Sequence, residues 1–132
     1  KDTKKIRFFI YLENQLIGYG FLSQFSKKTK THVCTYGIVI GDNWQGNGYG
    51  YQICKHMIST AWKKGFKKIW LTTYFNNKSA FEIYQKLGFI VEGIFINEEK
   101  LHGKSRHVIS MGLFKDKRNM KKIRQKVISS IN

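Results

Sequence analysis

The chain has 132 residues, of which 42% are hydrophobic and 15% aromatic, and it carries 24 Lys and Arg against eight Asp and Glu. This composition excludes an intrinsically disordered chain, and the length suits one domain rather than two. No apolar run approaches the ~20 residues that span a bilayer, and no secretion signal opens the sequence. We therefore expect a cytoplasmic protein without a membrane partner.

The formal net charge of +16 favours polyanionic partners such as phosphates, acidic substrates or nucleic acid, and it disfavours small polycations. The alternative is a set of solvated, lysine-rich surfaces without a particular ligand. Cys34 and Cys54 lack a second pair of cysteines, and the histidines lack the spacing of metal ligands. We expect two reduced, buried thiols and no metal site.

The N-terminal part of the sequence predicts a hairpin and a third strand. Residues 6–12 and 16–25 are rich in β-branched and aromatic side chains and flank the polar residues 13–15. These two segments should pair antiparallel. After a lysine-rich loop, a third strand is expected over residues 32–40.

A glycine-rich turn separates the third strand from the first helix, which is predicted over residues 50–64. Gly65 supplies the end of this helix. Apolar residues recur on one helical face. They are Ile53, Met57, Ile58, Ala61 and Trp62.

A buried strand over residues 69–75 and a short helix over residues 80–87 follow. Ser79 with Glu82 resembles a capping box at the start of this helix, and Gly88 fits the left-handed position that ends it. The final sheet segment is predicted as a hairpin, with strands 89–97 and 107–114 around the polar turn 98–104.

The order of elements predicts a mixed sheet with helices packed on it, an α/β (α+β) architecture. The strand over residues 32–40 and the strand over 69–75 flank a helix, so they should lie parallel. We divide the chain into a domain of residues 1–114 and a basic C-terminal helix of residues 115–132.

The C-terminal helix is predicted from apolar residues at helical spacing, with seven Lys or Arg between Lys115 and Lys126. We expect it to dock on its own domain or on a partner. One alternative is contact with nucleic acid or the ribosome through phosphates. A second copy of the chain, forming a homodimer, is another candidate partner.

The segment Gln45-Gly46-Asn47-Gly48-Tyr49-Gly50 lies between a predicted strand and a predicted helix. Its glycines allow the backbone to bend closely around a ligand, and the free N–H groups and the helix dipole favour an anion there. The segment is therefore a candidate phosphate or pyrophosphate cradle. A tight turn without a ligand is the alternative.

A second group of residues completes a family pattern. The sequence resembles the GNAT N-acetyltransferases. Their pattern is Q/R-x-x-G-x-G/A, followed about thirty residues later by N-x-x-A-x-x-x-Y-x-K-x-G-F. The matching residues are Gln45, Gly48, Gly50, Asn77, Ala80, Tyr84, Lys86, Gly88 and Phe89. The sequence further resembles the branch of ribosomal-protein alanine and spermidine acetyltransferases at Glu92-Gly93, Gly103 and Met111-Gly112-Leu113.

The resemblance implies acetyl transfer from acetyl-CoA to an amine-bearing acceptor. The turn amides would hold the CoA pyrophosphate, and the backbone at Ile38 and Ile40 would pair with the pantetheine arm where two parallel strands splay apart. Asn77 would bond the arm, Lys86 would meet the phosphates, and Tyr84 would protonate the departing thiolate. The implied cofactor-binding residues are Ile38, Ile40, Gln45, Gly46, Asn47, Gly48, Tyr49, Gly50, Asn77 and Lys86.

Two of these residues have simpler explanations. Tyr84 shares a helical face with Ala80 and Leu87, which is also typical of a core aromatic residue. Asn77 stands where a helix cap is expected.

The chain departs from the family at three places. Members of the branch often carry a glutamate where this sequence has Thr35, so the general base stays open between a water relay and no dedicated base. An acidic residue is also frequent near His107, which weakens the prediction of a polyamine substrate. The family's N-terminal strand and two helices, which form one wall of the acceptor site, are expected to be missing.

The leading hypothesis is therefore acetyl transfer to a protein or peptide N-terminus or to an amino sugar, ahead of a polyamine. A catalytically inactive acetyl-CoA-binding module is one alternative. A basic nucleic-acid-binding or ribosome-binding protein is the other.

Overall fold

The computed structural model describes residues 5–131, which form a mixed sheet of six strands in the order β1-β2-β3-β4-β6-β5. The strands are β1 (Lys5–Leu12), β2 (Gln15–Gln24), β3 (Val33–Ile40), β4 (Lys68–Tyr74), β5 (Ile90–Leu101) and β6 (Lys104–Phe114). The α-helices are α1 (Tyr49–Lys63), α2 (Lys78–Leu87) and α3 (Met120–Ile131). The predicted fold class is confirmed.

The pairing of the strands agrees with the sequence. β1 pairs antiparallel with β2, and β2 antiparallel with β3. β3 and β4 are parallel, as predicted for strands that flank a helix. β6 lies between β4 and β5 and is antiparallel to both, so the C-terminal hairpin closes the sheet.

The core lies between the sheet and helices α1 and α2. Alternate residues of each strand point to this face. Cys34, Met57, Ile69 and Met111 have 0% exposure there. Burial of each large apolar side chain contributes about 1.5–3 kcal/mol, which fixes the register of the central strands.

The two hairpin turns are shorter than the sequence indicates. Glu13 and Asn14 alone connect β1 and β2, with positive φ of 48° and 68°. The predicted polar turn 98–104 is wrong, because β5 continues to Leu101 and only His102 and Gly103 form the turn. The polar residues in this segment indicate only that it is exposed to solvent. Because an exposed strand can have the same composition as a loop, the sequence does not distinguish the two.

Helix α2 begins differently from the prediction. The capping box of Ser79 and Glu82 is wrong, because the N-cap is Asn77, whose side chain accepts a hydrogen bond from the Ala80 N–H. Gly88 ends the helix in the left-handed conformation with φ 102°, as predicted. Asn77 and Ser79, two residues apart, are both able to cap the helix, and the sequence alone does not decide between them.

Both cysteines are free and buried, as predicted. Burial raises the pKa of Cys34 to about 12. Burial also raises the pKa of Cys54, against a smaller opposing effect of the hydroxyl of Tyr36. Both side chains are therefore neutral thiols at pH 7, which makes them poor nucleophiles.

Helix α3 is amphipathic, as predicted, but its apolar side chains are exposed. Ile123, Val127, Ile128 and Ile131 keep between 46% and 77% of their surface accessible. The prediction that α3 docks on its own domain is therefore wrong for the described residues, and a partner remains the alternative. No helix within residues 5–131 is long and apolar enough to cross a membrane.

Removal of residues 120–132 is expected to change the free energy of unfolding by less than about 1 kcal/mol, because exposed side chains contribute little burial. Urea denaturation of the full and truncated chains measures this difference. A loss of several kcal/mol would show that α3 covers apolar surface of the domain in solution.

Candidate active site

A cavity opens where β3 and β4 separate. These strands pair only from Val33 to Thr35 on β3 and from Lys68 to Trp70 on β4. Beyond this point a cavity of about 600 Å³ lies between β3, the glycine turn and helices α1 and α2. Its volume is within the usual range for sites that bind small molecules.

Nearly all of the predicted site residues meet in this cavity. Those that line it are Ile38, Ile40, Gln45, Gly46, Gly48, Gly50, Asn77, Tyr84 and Lys86. Asn47 and Tyr49 are not among the lining residues. The side chain of Asn47 turns back and donates to the carbonyl of Gln45 at 3.3 Å. Residues without a prediction also line the cavity: Trp44, Tyr51, Cys54, Ser79, Ala80 and Ile83.

The edge of β3 that faces the cavity presents unpaired backbone groups. The Gly41 N–H donates to the Ile17 carbonyl on β2 at 2.8 Å. In an antiparallel ladder alternate residues bond to the same neighbour, so the N–H and C=O groups of Ile38 and Ile40 point away from β2. The Ile40 carbonyl accepts a hydrogen bond from the Gln45 side chain. The N–H and C=O of Ile38 and the N–H of Ile40 face the gap that β4 leaves open, which suits an extended ligand with amide groups.

The glycine turn presents free N–H groups. Gly46 and Gly48 have φ of 82° and 80°, and a Cβ at either position would meet no atom of the described residues within 4 Å apart from its chain neighbours. The first hydrogen bond of α1 runs from the Gln52 N–H to the Gly48 carbonyl at 3.3 Å. The preceding amides at the start of α1 have no intrahelical acceptor, and the helix dipole favours an anion beside them.

Gln45 has a structural task in this turn. Its Nε2 donates to the Ile40 carbonyl at 2.9 Å and to the Asp42 carboxylate at 3.3 Å. Its own N–H donates to the Asp42 carbonyl at 3.4 Å. Gln45 therefore holds the turn against the end of β3, and its amide is not among those free to bind a ligand.

Asn77 serves as the helix cap and still has a donor to offer. Its Oδ1 accepts from the Ala80 N–H and from the Ser79 hydroxyl, both at 3.3 Å. Its amide nitrogen has no partner among the described residues. The cap explanation is therefore confirmed, and the side chain retains a donor at the wall of the cavity.

Tyr84 is half-buried on α2, with its ring against two other aromatic rings. Its centroid lies 6.0 Å from that of Tyr36 and 5.6 Å from that of Phe89. Burial raises the pKa of Tyr84, while the neighbouring Tyr36 hydroxyl acts in the opposite direction. The phenol is therefore protonated at pH 7 and able to act as an acid.

Lys86 lies at the wall of the cavity beside an aromatic ring that the sequence did not point to. Its Nζ is 5.3 Å from the ring centroid of Tyr51, and the Nζ of Lys55 is 5.6 Å from the same centroid. Tyr51 directly follows the family pattern, and no spacing in the sequence indicates that its ring meets α2.

Thr35 and His107 are not among the residues that line the cavity. Thr35 pairs with Trp70 where β3 and β4 are still in contact. His107 accepts a hydrogen bond from the Asn97 N–H through Nδ1 at 3.0 Å. Within residues 5–131 no group of three or more His, Cys, Asp or Glu is arranged to hold a metal ion.

Comparison with known proteins decides the family. Residues 1–89 match the family model described as Acetyltransferase (GNAT) family. This chain belongs to the GNAT acetyltransferase family. GNAT acetyltransferases use acetyl-CoA as the acetyl donor.

The relatives of this GNAT chain act on different amines. It is 29% identical to the spermine/spermidine N(1)-acetyltransferase of Bacillus subtilis, over 76% of this chain and 73% of that protein. It is 27% identical to the ribosomal protein bS18-alanine N-acetyltransferase of Escherichia coli, over 60% of this chain and 55% of that protein. The chain thus spans about half the length of several curated relatives, including the bS18 enzyme.

Solved structures show the same fold. A GNAT acetyltransferase from Streptococcus pneumoniae superimposes with a TM-score of 0.79 at 28% identity, covering 83% of this chain and 67% of that one. The likeness shows that this chain has the fold of that acetyltransferase over the part that is covered.

The residues of the cavity fit acetyl-CoA. The open space above Gly46 and Gly48 and the free amides beside it suit a pyrophosphate. The backbone edge at Ile38 and Ile40 suits the amides of a pantetheine arm. Tyr84 supplies a protonated phenol in the same cavity.

Proposed function

We propose that this chain is an acetyl-CoA-dependent N-acetyltransferase that acetylates a primary amine. The observation that carries the proposal is the cavity between the splayed strands, where free turn amides and the Tyr84 phenol face the same space. A binding module for nucleotides alone has no need of an acid at this position.

The residues of the cavity have separate roles in binding acetyl-CoA and in releasing the thiolate. The turn amides and Lys86 hold the phosphates, and the edge of β3 with Asn77 fixes the extended arm. Acetyl-CoA supplies an activated thioester. Tyr84 holds a proton at Oη and delivers it to the departing sulfur, which lowers the barrier to its release. No carboxylate among residues 5–131 lines this cavity, which favours a water relay or attack by an amine that is already neutral.

The acceptor that we propose is a protein or peptide N-terminus or an amino sugar, ahead of a polyamine. The net charge of +16 repels small polycations and attracts acidic peptides and phosphorylated sugars. The named activities of the relatives include both a ribosomal protein and polyamines as acceptors. The free, buried thiols agree with the proposed cytoplasmic location.

The proposal is tested by a screen of acceptors with acetyl-CoA as the donor. The free thiol that acetyl transfer releases is measured. Peptides with free and blocked N-termini, amino sugars and spermidine are compared at equal concentration. Faster release of free thiol with a free N-terminus or an amino sugar than with spermidine supports the proposed order of acceptors. Tight binding of acetyl-CoA without turnover of any amine would favour an inactive binding module instead.

Lys86→Met is expected to weaken acetyl-CoA binding about twofold to fivefold, because an exposed ion pair contributes little in water. The same change should leave acetyl-pantetheine binding unaltered, since that fragment lacks the nucleotide phosphates. Lys55→Met is the matched control, because Lys55 lies near the same Tyr51 ring but does not line the cavity. Equal effects of the two variants on acetyl-CoA affinity would contradict a role of Lys86 in phosphate binding.

A further inference from the structure

A hydroxyl that belongs to neither family motif lies behind the proposed acid. Tyr36 is on β3, Cys54 on α1 and Tyr84 on α2, so three elements meet at this point. The Tyr36 hydroxyl is 3.3 Å from the Cys54 Sγ. Tyr36 is only 8% exposed, so its hydroxyl depends on protein groups such as the Cys54 thiol rather than on water.

The ring of Tyr36 is fixed by its neighbours. It stacks on Phe89 with centroids 6.1 Å apart and planes inclined by 25°. The ring of Tyr84 packs edge-on against both Tyr36 and Phe89. This packing restricts both phenols, and it leaves Tyr84 and Cys54 at the wall of the cavity while Tyr36 lies behind them.

We propose that Tyr36 is a positioning residue, whose hydroxyl holds the Tyr84 hydroxyl towards the cavity and donates a hydrogen bond to it when Tyr84 gives up its proton. The inference rests on the proposed acetyltransferase function. Cys54 completes the arrangement, because its S–H can donate to the Tyr36 oxygen while the Tyr36 O–H points to Tyr84.

The step balances without a further reactant. The acceptor amine forms an N–C bond at the thioester carbonyl and loses its proton to solvent. The acyl C–S bond breaks, its electron pair goes to sulfur, and sulfur takes the proton from the Tyr84 Oη. The resulting phenolate accepts the hydrogen bond from Tyr36, which keeps its own proton. Solvent later returns a proton to Tyr84. The arrangement agrees with this role, since the rings of Tyr36 and Tyr84 are in contact and the Tyr36 hydroxyl lowers the pKa of Tyr84, while burial, the larger effect, raises it.

Tyr36→Phe removes the hydroxyl and keeps the stacked ring. It is expected to lower kcat roughly tenfold, the usual scale for loss of one hydrogen bond to a charged group, with the KM for acetyl-CoA unchanged. In a Tyr84→Phe background the same substitution should have no further effect, because Tyr36 acts only through Tyr84. An equal loss in both backgrounds would overturn the proposal and leave Tyr36 a structural residue.

A second variant covers the case in which Tyr36→Phe fails to fold. Cys54→Ala removes the thiol that fixes the Tyr36 hydroxyl, so it should lower kcat by a smaller factor, again only when Tyr84 is present. Tyr19→Phe is the control, because Tyr19 lies on the sheet face opposite to the cavity. A loss of activity for Tyr19→Phe comparable with that of Tyr36→Phe would also contradict the proposal.

A measurement without cofactor or acceptor separates this proposal from the proposed function. With 3-fluorotyrosine at position 84, the ¹⁹F signal reports ionisation of that phenol alone. Loss of the Tyr36 hydroxyl should raise the midpoint of its titration, because the phenolate loses a donor. An unchanged midpoint overturns the coupling of Tyr36 to Tyr84. Failure of acetyl-CoA binding with a shifted midpoint would instead overturn only the proposed function.

Discussion

Tyr84→Phe is expected to lower kcat for acetyl transfer about a hundredfold or more, the usual contribution of a positioned general acid. The dissociation constant of acetyl-CoA should hardly change, because phenylalanine keeps the contacts of the ring with Tyr36 and Phe89. Steady-state kinetics with the best acceptor from the screen, together with calorimetric titration, measures the two quantities separately.

The pH dependence has a defined sign. Burial raises the pKa of Tyr84 above its ordinary value of 10.0, so the acid stays protonated through neutral and mildly alkaline pH. Activity that depends on this proton is present below that pKa and is lost above it.

Tyr11→Phe is the control for removal of a tyrosine hydroxyl, since Tyr11 is 62% exposed on β1. Undiminished turnover in Tyr84→Phe would assign Tyr84 to the core alone.

Gly48→Ala is expected to weaken acetyl-CoA binding roughly tenfold to a hundredfold. The added methyl group would enter the open space beside the turn amides and hold the pyrophosphate away from donors that each contribute on the order of 1.5–3 kcal/mol to a charged acceptor. Apart from the two chain neighbours, no atom of residues 5–131 lies within 4 Å of the new Cβ, so the effect should appear in binding rather than in packing.

Gly65→Ala is the matched control for this substitution. Gly65 also has a positive φ, 96°, and open space around its Cβ position, but it lies at the other end of α1. Both variants should lose about 1 kcal/mol or slightly more of stability, because alanine is strained in the left-handed region. Only Gly48→Ala should lose acetyl-CoA affinity. Equal affinities of the two variants would argue against the turn as the pyrophosphate site.

Much of the fold follows from local patterns in the sequence. β-branched and aromatic runs marked the strands, and the apolar spacing from Ile53 to Trp62 marked α1. Gly65 and Gly88 marked helix ends because their left-handed conformation favours glycine. The glycine turn was found because its spacing agrees with a family pattern, whereas a glycine-rich turn alone is a weak signal.

The parts that the sequence did not predict depend on contacts between distant segments. Tyr36, Cys54 and Tyr84 meet only because β3, α1 and α2 share one face of the sheet. The side chain of Gln45 holds the turn through the Ile40 carbonyl, and no local pattern indicates that contact. The exposed face of α3 shows the same limit, since periodicity identifies an apolar surface and not what covers it.

The most direct test is an NMR titration of the ¹⁵N-labelled chain with acetyl-CoA. A chain with a charge of +16 attracts any polyanion, so binding alone does not locate the site. We predict saturable shifts of the amide signals of residues 46–51, of Asn77 and of β3 near Ile38, which persist when salt is raised. Shifts confined to the lysines and arginines of α3, or lost with added salt, would contradict the assignment of this cavity to acetyl-CoA.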